Sequence, residues 1–151
     1  MPRRHSAVSV EFNHTIVPSR DRERSAHFLA RVLGLEVGAP MEPFLPLTTA
    51  NGVTLDFAGV GADADIPVLH YAFLVSEDVF DAALARLVAD RVPVQADPHG
   101  RYPRRINRND GGRGVYFRDP DGHGMEILTR PYGSHPDSPL NGVTEEVPGA
   151  V

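Results

Sequence analysis

Four side chains in this sequence, His14, Asp56, His70 and Glu126, have the types and the spacing to hold a metal ion. Each lies in a short run of strand-forming residues, and a strand sends alternate side chains to opposite faces. In the run LHYAFLV, Tyr71, Phe73 and Val75 form the large apolar set, which leaves His70, Ala72 and Leu74 on the other face. In VTLDFAG, Leu55 and Phe57 pack while Asp56 faces away, and in GMEILT, Met125 and Ile127 pack while Glu126 faces away. Phe12, His14 and Ile16 share a face of FNHTIVP. With helices on one side of the sheet, all four polar residues fall on the opposite side, and a curled sheet gathers them in a cup. Two imidazoles and a carboxylate on such a face suit a divalent ion with coordination positions left open: Fe, or Mn, Zn or Ni with oxygen ligands added. One strand histidine alone is more often a hydrogen-bonded structural residue, and one carboxylate on an outer strand face is commonly just solvated.

What raises the odds is repetition. VEFNHTIVPS reads as a strand, and RDRERSAHFLARVLGL as a helix capped by Ser19 or Asp21 and stopped at Gly34. Short strands follow around Glu36–Gly38, around Phe44–Thr49 and in GVTLDFAG, the last two joined by an Asn51-Gly52 turn. The pattern then restarts: LHYAFLV is a strand, Ser76 caps a helix with Glu77 and Asp78 in its first turn, and VPVQA is a short strand. A long loop from Asp97 to about Asp110 precedes a closing hairpin, GGRGVYFRDPDGHGMEILTRP. His14 and His70 are related by a shift of 56, and Asp56 and Glu126 by a shift of 70. The difference is about the size of the 97–110 loop, so the second half is the first with a loop inserted.

The whole chain sets bounds on the partner. Its 151 residues make one domain's worth of core. No cysteine is present, which removes disulfides and thiolate ligands, and no apolar run has the length of a signal or membrane segment. A cytoplasmic protein fits best. The formal charge of −5 argues against nucleic-acid binding, and no membrane contact is expected. Positive charge is local, with Arg101, Arg104, Arg105, Arg108 and Arg113 crowding one segment. Such a run is ordinarily a solvated loop, and the sharper alternative is a lid that attracts anionic ligands. Residues 1–8 read as a flexible arm, 9–131 as a single domain (module one about 9–62, module two about 66–131), and 132–151 as a Pro/Gly-rich, mobile tail.

His14 in NHTIVPS, His70 in LHYAFLV and Glu126 in DPDGHGMEILT, set in paired strand–helix–three-strand halves, resemble the vicinal-oxygen-chelate superfamily of glyoxalases, bleomycin resistance proteins and extradiol dioxygenases. The resemblance spans roughly residues 9–130. It implies an α+β fold in which two βαβββ modules form a curled mixed sheet, a cup with helices on its outer face. It also implies one divalent metal per site, held by His14, His70 and Glu126, and a small oxygen-chelating substrate. Asp56 occupies the place of a fourth, acidic ligand or base, but it is one methylene shorter than the glutamate usual there. The histidine expected upstream of an extradiol signature is absent, and Asn107 and Asn109 stand nearby instead.

The function expected is therefore a metalloenzyme of the glyoxalase/dioxygenase type, with oxygen insertion placed ahead of isomerase or lyase chemistry. Asp56 and Tyr116 are the candidate catalytic groups, and His99, Tyr102 and Arg113 are candidates for touching substrate. The rival from another class is a non-catalytic, antibiotic-sequestering protein that uses the cup as an apolar pocket. Open sheet edges favour a homodimer, and the cup closes either within one chain or across two.

Overall fold

The computed structural model describes residues 9–151. The 1–8 arm lies outside them. The first module runs β1 (His14–Ser19), α1 (Arg22–Leu33), β2 (Phe44–Thr48) and β3 (Thr54–Gly59). The second runs β4 (His70–Leu74), α2 (Glu77–Ala89), β5 (Arg105–Asn107), β6 (Gly114–Arg118) and β7 (Gly124–Leu128), and the tail adds β8 (Thr144–Glu146). The fold is α+β, with two sheets ordered β1-β3-β2 and β4-β7-β6-β5-β8. In each module the first strand pairs parallel with the last, which is the arrangement a crossing helix permits. The two sheets are not joined into one, so β1 and β4 are both edge strands.

Local chemistry explains the helices. The Asp21 carboxylate accepts from Arg24 N and caps α1, which ends at Gly34 in a left-handed conformation (φ 71°) that a side chain would resist. Ser76 caps α2 by accepting from Val79 N. The alternation read from the sequence holds on the covered face. Leu55 and Phe57 of β3 and Met125 and Ile127 of β7 are buried against α1 and α2 with Leu29, Phe80 and Leu87. Each such side chain contributes about 1.5–3 kcal/mol of burial.

Three expectations change. Residues 36–38 form no strand and are fixed instead by Gly38 N donating to Pro46 O. The VPVQA run contributes only two isolated bridges, both at Gln95, to Pro103 and to Tyr116, because the chain turns at Asp97 before a ladder can extend. The tail is docked. β8 pairs antiparallel with β5, and the buried Asp110 carboxylate accepts from Gly133 N and His135 N. Its arginine partners change accordingly: Arg105 donates to Thr144 and pairs with Glu146, and Arg108 pairs with Glu145. The arginine cluster is thus partly neutralised by the tail, and the lid reading loses Arg105 and Arg108.

Candidate functional site

Strand register builds the site. His70 of β4 stands opposite Gly124 of β7, and two residues on, Ala72 stands opposite Glu126. The His70 ring lies over β7, where a Cβ at position 124 would stand in ordinary contact with it at 3.4 Å. His70 Nε2 comes to 3.2 Å from Glu126 Oε1. Tyr116 of β6 stands opposite Glu126 and stacks with the His70 ring at 6.1 Å between centroids. Burial, then the Glu126 charge and a hydrogen bond to it, push the Tyr116 phenol well above its ordinary value.

The first module repeats this register. His14 stands opposite Thr54, and two residues on, Ile16 stands opposite Asp56. The pairing His14/Asp56 is therefore laid out as His70/Glu126 is. Asp56 lies between Ile16 and Pro46 on neighbouring strands, with no charged residue directly across. His14 Nδ1 is 2.7 Å from Asn13 Oδ1, which orients its ring.

One chain brings His70, Glu126 and Tyr116 together but leaves His14 and Asp56 on the other sheet. Among the described residues, no three His, Asp or Glu side chains come close enough within one chain to hold an ion. The reason lies in how the modules touch. His123 Nε2 donates to Pro18 O at 2.8 Å, and Leu69 N donates to His123 Nδ1 at 3.0 Å. The end of β1 therefore meets the start of β4. His14 is four residues back along β1, roughly 13 Å from that contact.

The other candidates divide. His99 N and Tyr102 N both donate to the Asp97 carboxylate, which makes a tight turn with both side chains exposed. Asp97 adds to the upward push on Tyr116, so this turn stands within electrostatic reach of the site. Arg113 does not join the site. Its guanidinium bonds Glu77 at 2.7 Å and Asp81 at 2.8 Å and lies 4.5 Å over the Phe80 ring. It shares strand parity with Val115 and Phe117, so it must face α2.

A group without a role in the sequence reading proves central to the module contact. Asp119 Oδ1 accepts from His123 N and Asp121 N, and Asp121 accepts from Arg20 N and from Ser25 Oγ at 2.6 Å. The DPDGH turn thus belongs to both modules. Asp119 reads in the sequence as an ordinary turn residue that bonds its own backbone two residues on. The signal is therefore only the further carboxylate and imidazole, Asp121 and His123, which the bend itself does not need. Asp119 Oδ2 is buried without a partner, and burial raises its carboxyl above the ordinary range. A raised folded value means that folding favours the protonated form. The associated penalty is absent below the unfolded value, about 3.9, and grows as pH rises through the folded one. The melting temperature of Asp119→Asn relative to wild type should therefore climb between about pH 4 and pH 7. A flat difference across thermal melts in that range would contradict this.

Comparison with known proteins now bears on the pattern. The family model described as the Glyoxalase/Bleomycin resistance protein/Dioxygenase superfamily matches residues 11–127. The chain belongs to that superfamily. A superfamily relative, metallothiol transferase FosB of Lysinibacillus sphaericus (strain C3-41), is 32% identical over 127 residues, covering 78% of this chain and 80% of FosB. Among solved structures, the oxidase ChaP-H2 is similar at 52% identity and a TM-score of 0.81, covering 85% of this chain and 99% of that one. Lactoylglutathione lyase from Agrobacterium tumefaciens shares the superfamily fold at 20% identity and a TM-score of 0.60, covering 82% and 97%. Small-molecule substrates are the rule in this superfamily, and no helix among the described residues is long and apolar enough to cross a membrane.

Proposed function

We propose that this chain is a divalent-metal-dependent, oxygen-using enzyme whose site is completed by a second copy. His14 of one copy would hold the ion together with His70 and Glu126 of the other. The observation that carries this reading is the His70–Glu126 pair at 3.2 Å, repeated in register by His14 and Asp56. The donor set fits: two imidazoles and one carboxylate leave positions open for a substrate. A second copy is favoured because β1 and β4 are open edges and Phe12 (69% exposed), Ile16 (50%) and Leu74 (61%) lie bare on or beside them.

A divalent ion bound there would polarise two neighbouring oxygens of a small substrate and stabilise the charge that develops on them. The chain's own groups do the rest. Tyr116 keeps its proton at neutral pH, so it acts by donating a hydrogen bond beside Glu126 and is a poor base. A groove of about 940 Å³ between β1 and β4 is walled by Leu33, Leu55 and Phe73 of the helix-covered face and touches His70 but not Glu126 or Tyr116. A substrate would therefore sit on the uncovered face, beside the His70–Glu126 pair. His99 and Tyr102 stand at the Asp97 turn, from which they would reach such a molecule.

Similarity to an oxidase at half identity favours oxygen chemistry over the second reading, an isomerase or lyase, or a transferase as the name of the FosB relative describes. A protein that only sequesters an apolar molecule would need the groove but not a histidine–glutamate pair beside it. Asp56 separates the two enzymatic readings. Bound to the ion, it would leave two positions on a six-coordinate centre; unbound, it leaves three, enough for a chelating substrate and O₂. Its shorter side chain argues that it orients a ligand without binding. Elemental analysis after repletion with Fe, Mn, Zn or Ni tests the reading: about one ion per His70–Glu126 pair is expected, retained in Asp56→Asn. A folded protein that takes up none sinks it, and loss of the ion in Asp56→Asn turns preference to the isomerase or lyase reaction.

A further inference from the structure

We infer that His123 is a positioning residue which sets where the His14-bearing strand stands relative to the His70-bearing one. The inference rests on the metal-site reading above and adds to it a residue far from any ligand role. His123 is fully buried, and both its ring nitrogens are committed to main chain. Leu69 N–H points at Nδ1, which must therefore accept, so the proton sits on Nε2 and is donated to Pro18 O. Leu69 immediately precedes His70, and Pro18 lies in the same six-residue strand as His14. One imidazole thus spans the two edge strands, while the turn that carries it leads into β7 and, three residues on, to Glu126. Tyr71 packs edge-on to the ring at 6.0 Å and its hydroxyl donates to Ile16 O, a second tie between the same strands.

The surroundings hold that ring in place. Asp119 Oδ1 takes the His123 backbone N–H at 2.8 Å, and Asp121 fastens the same turn to Ser25 and Arg20 of the first module. Neither β1 nor β4 has a sheet partner on the side facing the other, so these side-chain ties set the spacing that a ladder would otherwise fix. In a two-fold dimer each chain gives His14 to one site and His70 with Glu126 to the other, so the spacing of β1 and β4 within a chain decides whether both sites can close. A shift of β1 by about 1 Å at Pro18 is carried to His14 by a stiff strand, and liganding tolerates only about 0.5 Å of misplacement.

Two substitutions separate the ties. In His123→Asn the amide oxygen falls where Nδ1 stands, keeping Leu69 and losing Pro18. In His123→Gln the longer amide reaches Pro18 O and loses Leu69. The quantity to measure is the ratio of Co²⁺ affinity, by absorbance titration, between proteins with and without His14→Ala, which isolates what His14 contributes. That ratio should fall tenfold or more in His123→Asn and stay within threefold of wild type in His123→Gln. An unchanged ratio in His123→Asn, even with a lowered melting temperature, would overturn the inference and leave the metal site standing. An equal fall in both variants would also overturn it. If His123→Asn does not fold, His123→Gln decides alone, with a tenfold fall as the contrary result. Wild-type protein that binds no Co²⁺ would overturn the metal reading, and this inference with it.

Discussion

Replacing His70 by alanine is expected to lower divalent-metal affinity more than ~100-fold, since a lost ligand outweighs the ~10–100-fold effect of groups behind the ligands. The fold should survive. The His70 side chain is about half exposed (52%), on the uncovered face of β4, so its removal opens no cavity in the core. Among the described residues its one polar side-chain partner is Glu126. Although that carboxylate is mostly buried (13% exposed), the half-exposed histidine leaves water free to replace the lost contact, so little stability goes with it. Glu126→Gln is the natural companion, because it keeps the shape against Tyr116 and removes the charge. Both variants should melt within a few degrees of wild type while Co²⁺ or Ni²⁺ titration shows the loss. Affinity within threefold of wild type in His70→Ala would mean that the His70–Glu126 pair is an ordinary surface contact.

Much of this site is legible in the sequence because β-alternation is rigid. Once Leu55, Phe57, Met125 and Ile127 are taken as core, Asp56 and Glu126 have only one face left to occupy, and the structure puts the core residues where that reading requires. The same rule read one strand further would have placed Arg113 correctly, since it is two residues from Val115 and that residue is fully buried. Its guanidinium went to Glu77 and Asp81, whose carboxylates are presented by α2.

Other features could not be read locally. Thr144–Glu146 carries no apolar alternation, because β8 is held to β5 by backbone bonds and by Arg105 and Arg108 from a distant segment. His123 looks like a turn residue between two glycines. Its burial is created by Pro18, a residue over a hundred positions away, and nothing near it in the chain announces that contact. The separation of His14 from His70 is of the same kind. Each strand is legible, but the angle between modules is set by the ties at one end of β1 and β4.

That separation makes the completion of the site by a second copy the central claim, and mixing two defective chains tests it most directly. His14→Ala and His70→Ala are each expected to lack tight metal binding. In a mixed dimer, the His14→Ala chain still supplies His70 and Glu126, and the His70→Ala chain still supplies His14. Those groups meet at one of the two sites, which is therefore intact. Co-expression with random pairing should restore tight metal to about a quarter of the wild-type level, from half the dimers carrying one good site of two. The measurement is tightly bound metal per chain in the co-expressed sample against each variant alone. A gain toward a quarter supports a site shared between copies. No gain, with mixed dimers present and wild type loaded under the same conditions, would contradict it, because a site built within one chain is defective in every dimer so formed.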